Sequence, residues 1–413
     1  LFFAPSDLIT YMDSAFATHM ERQQLTDKEI KSLMDPEDPM LVALRRKGYA
    51  HEDAYLESLK ADGKNIVEIG DASKDAMLSQ TRDAMSNGAD IIAQAYLKLD
   101  NFGGMADFLV KVPGASQLGD YHYEIWDTKL SRRMKPYFAI QLCCYAEMLE
   151  SEQGIRPRNV AIVLGNNEIT PLRVLDYFAY YRTLKASFLK FHDDWTPENW
   201  PDPADSKLHG RWSKHAQSLL EERRHLSLVA NITSTQIKRL EACGITTINE
   251  LSETKLKSIQ KLSTDIFERL KAQAEIQVAS EGSDKPFHKV LSHQAGRALG
   301  LALLPPHSPA DVFFDIEGFP LIDGGLEYLW GSTYFDENGE RTFRDFWGHD
   351  EAEEKQAFID FVDWVFDRWQ MDPSMHVYHY ASYEVTALRR LMGRYGVREH
   401  EVDTLLQIGR AHV

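Results

Sequence analysis

Two stretches, Met105-Ala-Asp-Phe-Leu-Val-Lys-Val112 and Tyr123-Glu-Ile-Trp-Asp-Thr-Lys129, decide the fold of the first half of the chain. Both are short and β-rich, and a Pro-Gly pair follows the first, so they are expected to pair as neighbouring strands. Residues two apart on a strand share a face, so Asp127 and Lys129 point the same way. Pairing of the two strands can bring the carboxylates of Asp107 and Asp127 close enough to hold one divalent cation.

The sequence around these strands predicts an α/β domain over residues 1–200. Helical spacing of apolar residues alternates there with short β-rich runs. The predicted elements are helices within 1–60, strands at 91–97, 105–112 and 121–130, a helix at 137–149, a strand at 160–164 and a helix at 177–191.

A proline-rich boundary precedes a charged, helical block, which we predict to be a connector over residues 201–283. Two short amphipathic helices in it are joined through Cys243-Gly-Ile-Thr246, as in a helix-hairpin-helix unit. Such a hairpin can present backbone N–H groups, here those of Gly244 and Thr246, to a phosphate. A small helical connector without that role fits the sequence equally well.

A third unit, predicted over residues 296–407, has a mixed α/β pattern. Its first strand runs from Val312 to Glu317, and Asp315 and Glu317 share one face of it. Further strands are predicted at 328–335 and 376–380, with helices at 351–369 and 385–395.

The carboxylates of Asp107 and Asp127 suit Mg²⁺ or Mn²⁺, which prefer oxygen ligands and keep several waters. Such a site can hydrolyse a phosphodiester, with Lys129 beside it to orient the water or steady the phosphate. Gln141 and Tyr145, four apart on one helical face, could contact a phosphate or brace Lys129. His51 could bring an imidazole to the same metal. Three basic side chains that follow in the sequence could bind nucleic acid: Arg132, Arg133 and Lys135.

Composition limits the classes of protein and partner. The 413 residues include 46 Lys plus Arg and 63 Asp plus Glu, for a net charge of −17, which argues against coating nucleic acid by bulk charge. Three cysteines form no disulfide framework, and this favours a cytoplasmic setting. No stretch approaches the ~18–20 apolar residues that span a bilayer, so no membrane association is expected.

In order, the motifs Gly48-x-x-His51, Gly104-x-x-Asp107, Asp127-x-Lys129 and Gln141-x-x-x-Tyr145 resemble the RecB-like branch of the PD-(D/E)XK nucleases. The resemblance implies a restriction-endonuclease-like mixed sheet flanked by helices. It also implies that His51, Asp107 and Asp127 are metal ligands, that Lys129 is catalytic, and that Gln141 and Tyr145 support the site. Some relatives hold an iron–sulfur cluster on four cysteines. The matching stretch here, 203–216, has none, so no cluster is expected.

The third unit resembles DEDD-type exonucleases of the ribonuclease H-like fold. Phe313-Phe-Asp-Ile-Glu-Gly318 matches their first motif, which implies a second metal site on Asp315 and Glu317. Glu384 stands where the second motif has Asp, and the later acidic motifs have no clear counterpart before Gln407. We therefore expect a C-terminally truncated domain, and residues 408–413 resemble the translation of a sequencing adapter.

Together the three units resemble a bacterial family of RecB-like nucleases that usually continue into a superfamily I helicase. That helicase is expected to be missing here, and no phosphate-binding loop predicts an ATP site. The function expected is a Mg²⁺- or Mn²⁺-dependent nuclease that hydrolyses DNA in repair or recombination. One alternative is a 3′–5′ exonuclease of DNA or RNA that acts through the ribonuclease H-like domain. Another is a non-catalytic nucleic-acid-binding scaffold for a fused helicase.

Overall fold

The strands of the chain form two separate sheets, one in each of two units. A computed structural model describes residues 1–290, 296, 300–322 and 324–407. The chain divides into residues 1–289 and 290–413, and each unit is described here by itself. The adapter-like tail, 408–413, lies outside the described residues.

Among the described residues, the first unit contains one mixed sheet in the order β1-β2-β3-β4-β5-β6. The pairs β2–β3, β3–β4 and β5–β6 are antiparallel, whereas β1–β2 and β4–β5 are parallel. This mixed sheet confirms the predicted α/β class. The strands are β1 (Ile66–Glu68), β2 (Ile91–Leu99), β3 (Phe102–Ser116), β4 (Gly119–Lys129), β5 (Asn159–Leu164) and β6 (Ile169–Arg173).

Helices flank this sheet on both faces. The large core joins α4, α5 and α6 to one face through side chains such as Met85, Leu142 and Phe188. On the other face, Tyr55 and Leu59 of α3 pack in a smaller cluster with strand residues. The helices are α1 (Pro5–Asp13), α2 (Ala15–Gln23), α3 (Pro39–Ala61), α4 (Lys74–Ser86), α5 (Pro136–Gln153) and α6 (Val174–Asp193).

The strand β3 is longer than the sequence predicted. It runs through Gly103-Gly104 and Pro113-Gly114, which were expected to end strands, and the pairing with β4 shifts register only between Pro113 and Ser116. Gly103 serves close packing rather than a turn, because a Cβ there would lie 2.6 Å from Cζ of Phe2. Elements too short or too polar to show a period were missed, including β1 and the proline-containing edge strand β6.

The block after residue 200 is helical, with α7 (Ser213–Glu222), α8 (Ser234–Glu241), α9 (Ile248–Glu253) and α10 (Thr264–Ala279). Helices α8 to α10 share a core of their own, which includes Leu240, Leu251 and Phe267. The beginning of the block packs elsewhere, because Trp212 and Ala216 form a cluster with Phe16 of α2. Residues from both sides of the predicted domain boundary at residue 200 therefore pack in one hydrophobic cluster.

Buried histidines near α2 make this region sensitive to acid. Burial lowers the pKa of His19, His192, His209 and His215, because it disfavours the charged ring. For His192 the pKa falls from 6.5 to about 4. The unfolded chain therefore takes up a proton below about pH 6.5 that the folded chain takes up only near pH 4.

His192 is expected to contribute a loss of stability as pH drops from 7.5 to 5, and His192→Gln should remove that contribution. The full shift at His192 is worth up to about 3 kcal/mol of unfolding free energy. Urea denaturation of both proteins at the two pH values measures the difference, and it cancels any pH-independent cost of the substitution. Equal losses in the two proteins would show that His192 does not contribute.

The described residues of the second unit form a sheet in the order β10-β7-β8-β9, in which β7, β8 and β9 are antiparallel and β10 is parallel to β7. Its helices pack on one face of this sheet through a core that includes Phe314, Trp330 and Phe361. The elements are β7 (Val312–Phe319), β8 (Leu326–Phe335), β9 (Arg341–Trp347), α11 (Glu351–Met371), β10 (Val377–Tyr378), α12 (Tyr383–Tyr395) and α13 (Glu399–Leu405). No helix among the described residues is long and apolar enough to cross a bilayer.

Candidate active site

Asp107 and Asp127 lie side by side on neighbouring strands. Phe108 of β3 pairs with Trp126 of β4, and the two aspartates are the next residues along their antiparallel strands. Their closeness has an electrostatic effect, since the charge of Asp107 is one cause of a raised pKa at Asp127. The strand pairing predicted from the sequence thus places the two carboxylates together.

Asp127 is nearly inaccessible, with 3% of its surface exposed. Burial, reinforced by repulsion from Asp107, raises the pKa of this carboxyl above its usual value, although Lys129 opposes this. Its Oδ2 forms an ion pair with Nζ of Lys129 but has no aligned hydrogen-bond donor. A buried carboxylate whose oxygen lacks a hydrogen-bond donor is stabilised by a further positive charge beside it.

Lys129 is half-buried, and its Nζ lies 5.7 Å from the centre of the Phe138 ring. Burial alone would lower the pKa of this amine, but attraction by Asp127 and Asp107 outweighs burial and raises it. The lysine therefore stays charged at neutral pH and neutralises part of the acidic pair.

Asp107 is oriented by the residue between Asp127 and Lys129. The backbone N–H of Thr128 donates to its Oδ2 at 2.7 Å, and Oγ1 of Thr128 donates to the same oxygen at 2.8 Å. Two donors from Thr128 thereby fix one oxygen of the Asp107 carboxylate. Thr128 is not part of any motif recognised in the sequence.

Tyr145 supports the strand that carries Asp107. Its hydroxyl donates to the carbonyl of Met105 at 2.7 Å, and Gln141 hydrogen-bonds the same hydroxyl. A Cβ at Gly104 would lie only 2.8 Å from this hydroxyl oxygen, which explains the glycine three residues before Asp107. The two predicted roles, contacting a phosphate or bracing Lys129, stay predictions. The structure shows a brace on β3.

On α3, Glu52 lies close enough to the aspartates for their charges to interact. Burial and repulsion by Asp107 raise the pKa of Glu52 to about 7, opposed by a hydrogen bond from Gln94. His51 has a buried Nε2 without a hydrogen-bond partner. Glu52 was missed, although it directly follows His51 in the motif.

Within the described ranges, no three side chains of His, Cys, Asp or Glu form a set that could hold a metal ion. The predicted set of His51, Asp107 and Asp127 is therefore not assembled. The residues present nevertheless fit Mg²⁺ or Mn²⁺, because these ions need only one or two carboxylates and fill the remaining positions with water or phosphate oxygens. The carboxyl groups of Glu52, Asp107 and Asp127 repel one another, and Lys129 is paired with Asp127, so acidic groups outnumber this one basic group.

The basic side chains predicted to bind nucleic acid, those of Arg132, Arg133 and Lys135, are exposed on the segment between β4 and α5. They follow Lys129 directly in the chain. Their role stays a prediction.

The hairpin between α8 and α9 does not have the free N–H groups that the sequence suggested. The N–H of Gly244 donates to the carbonyl of Glu241 at 2.9 Å, and the N–H of Thr246 donates to Oε2 of Glu250 at 2.7 Å. The same carboxylate also accepts from the N–H of Thr247. A phosphate would meet this negative charge, so the hairpin does not support the predicted nucleic-acid contacts of Gly244 and Thr246.

In the second unit, Asp315 and Glu317 are exposed on the face of β7 opposite its core. They line an open cavity of about 490 Å³ together with His379. Glu384, the third predicted ligand, is buried, and its Oε2 lies 3.2 Å from Nδ1 of His379 rather than among the cavity-lining residues. The three predicted acidic residues therefore do not form one ligand set.

The family comparison concerns this second unit. Residues 312–413 match the family model of the RNase H superfamily, which supports a ribonuclease H-like domain there. Proteins of this superfamily are nucleases that generally use divalent ions such as Mg²⁺, and such a domain implies nucleic acid as a partner. The chain matches none of the curated proteins.

Proposed function

We propose that the first unit hydrolyses phosphodiester bonds of DNA with Mg²⁺ or Mn²⁺ held by Asp107 and Asp127. The observation that carries this proposal is the pairing of a buried aspartate with a second one beside it, and with Lys129 two residues along the same strand. Few structural roles need this excess of buried negative charge. A role in DNA repair or recombination, and a fused helicase as partner, rest on the resemblance alone.

Each residue of the site has a distinct task in this proposal. Thr128 holds Asp107 in place, and Tyr145 fixes the backbone of β3 just before it. Lys129 would bind a non-bridging phosphate oxygen or orient the attacking water. When bound, the divalent ion supplies Lewis-acid chemistry at the scissile phosphate.

Cleavage of labelled DNA and RNA, with Mg²⁺, Mn²⁺ or EDTA, tests the proposal. We expect metal-dependent cleavage that Asp107→Asn removes and that Asp315→Asn leaves in place. Asp315→Asn is the matched control, because it neutralises a carboxylate of the second unit in the same way. Cleavage that survives Asp107→Asn would contradict the proposal.

The second candidate is a 3′–5′ exonuclease that acts through the second unit on DNA or RNA. It is favoured by the RNase H superfamily match and by the shared exposed face of Asp315 and Glu317. The same experiment separates the two candidates, since cleavage lost in Asp315→Asn alone would assign it to the second unit. Binding of nucleic acid without cleavage by the wild-type protein would favour the scaffold.

A further inference from the structure

The backbone of β2 is strained at Gln94. Its φ is +54°, in the left-handed region, although it lies in the middle of a strand whose other residues are extended. A residue with a side chain persists in this conformation only where its surroundings fix it. Such strain calls for a compensating contact of the side chain.

The strain coincides with Asp107 on the neighbouring strand. The β2–β3 pairing joins Ala93 to Phe108 and Ala95 to Ala106, but it skips the intervening Gln94 and Asp107. Ala93 and Phe108 face the small cluster under α3, whereas Ala95 and Ala106 face the large core. The pairs on either side of Gln94 and Asp107 thus keep the same strand register.

The alternation of side chains between the two faces of the sheet is nevertheless broken at this point. Ile92 faces the large core, as do Ala95 and Leu97, although Ile92 and Ala95 are three positions apart in the strand. Alternation along an undistorted strand would place Ile92 and Ala95 on opposite faces. The distortion at Gln94 therefore redirects both its own side chain and the strand around Asp107.

The redirected amide contacts the site. Nε2 of Gln94 donates to Oε1 of Glu52 on α3. The charge of Glu52 in turn interacts with those of Asp107 and Asp127. Glu52 is thus tied from its helix to the sheet at the point where the two aspartates meet.

We infer that Gln94 is a positioning residue that holds Glu52 against the Asp107–Asp127 pair and so sets the affinity of the site for a divalent cation. The inference rests on the proposed function of the first unit. Residues that orient the ligands of a metal site typically change metal affinity or activity by about 10- to 100-fold when they are replaced. The strain at Gln94 is retained because the hydrogen bond to Glu52 requires it.

Mn²⁺ binding, followed by isothermal titration calorimetry, tests the inference on the whole chain with Asp315→Asn as background. Adding Gln94→Gly should weaken Mn²⁺ binding by about 10-fold or more. The melting temperature without metal should stay unchanged or rise, because glycine adopts φ +54° without strain. The matched control is Asn167→Gly, a left-handed residue with φ +62° at the β5–β6 turn, which should leave Mn²⁺ binding unchanged.

Each other outcome overturns the inference. A lower melting temperature in Gln94→Gly with unchanged Mn²⁺ affinity would make Gln94 a structural residue only. Unchanged affinity and stability in Gln94→Gly, together with lost binding in Asp107→Asn, would remove Gln94 from the site and leave the proposed function standing. If Asp107→Asn itself binds Mn²⁺ as the parent does, both the inference and the proposed function fail.

Discussion

Replacing Lys129 by methionine is expected to slow metal-dependent cleavage by about 10²- to 10⁴-fold, the usual contribution of a positioned proton-transfer or charge-stabilising group. Methionine has a similar length and can fill the partly buried space beside the Phe138 ring. The loss should therefore reflect the missing charge rather than a cavity.

The same substitution is expected to leave Mn²⁺ affinity unchanged or to increase it. Without metal, Lys129 is the cation paired with Asp127 and competes with a divalent ion for that carboxylate. Without the Lys129 amine, the Asp127 carboxylate is available to the divalent ion. A large fall in rate combined with intact metal binding is the signature of a residue that acts on the substrate and not on the metal.

Single-turnover cleavage and Mn²⁺ titration measure the two effects separately. Lys135→Met is the control, since this exposed lysine lies on the basic segment that follows the site. It should cause a smaller loss that disappears at low salt, as expected for a phosphate contact. If Lys129→Met loses metal binding along with activity, the lysine is a structural part of the site.

Much of the fold follows from patterns that one strand or helix carries by itself. The apolar run that begins at Val312 predicted the strand β7 and the shared face of Asp315 and Glu317. In the first unit, the β-rich runs around Asp107 and Asp127 predicted the neighbouring strands on which those carboxylates meet. Local periodicity suffices there because the spacing of apolar residues within each element determines which of its faces packs into the core.

The remaining features depend on contacts between distant segments. Nothing local to Gln94 predicts a left-handed backbone, because the cause is its hydrogen bond to Glu52 some forty residues earlier. His51 and Glu52 are equally plausible ligands until the rotation of α3 on the sheet is known. At the hairpin after α8, the motif suggested free N–H groups. Only the structure shows that the N–H of Thr246 donates to the Glu250 carboxylate and that of Gly244 to the Glu241 carbonyl.

Glu52→Gln is expected to stabilise the metal-free protein at pH 8 and to have no effect on stability at pH 5. Burial and repulsion by Asp107 raise the pKa of Glu52 from 4.5 to about 7. A raised carboxyl pKa favours the folded state below the unfolded value, and this contribution is lost as pH rises through about 7. At pH 8 the charged carboxylate therefore costs up to about 3 kcal/mol, which glutamine removes.

Thermal unfolding in EDTA at the two pH values measures this effect, and addition of Mg²⁺ completes the test. Glutamine retains an oxygen that can accept the hydrogen bond of Gln94, so the substitution changes charge more than geometry. Mg²⁺ should raise the melting temperature of the wild-type protein more than that of the variant, because the ion compensates the carboxylate that the variant lacks.

Glu57→Gln is the matched control, since Glu57 lies on the same helix but is exposed and paired with Lys60. It should change stability little and equally at both pH values, because an exposed ion pair is worth about 0–1 kcal/mol. A Glu52→Gln protein that is less stable than wild type at pH 8 would mean that Glu52 is held by favourable contacts. The acidic cluster would then need no metal to compensate it, and the main physical argument for an ion between Asp107 and Asp127 would be lost.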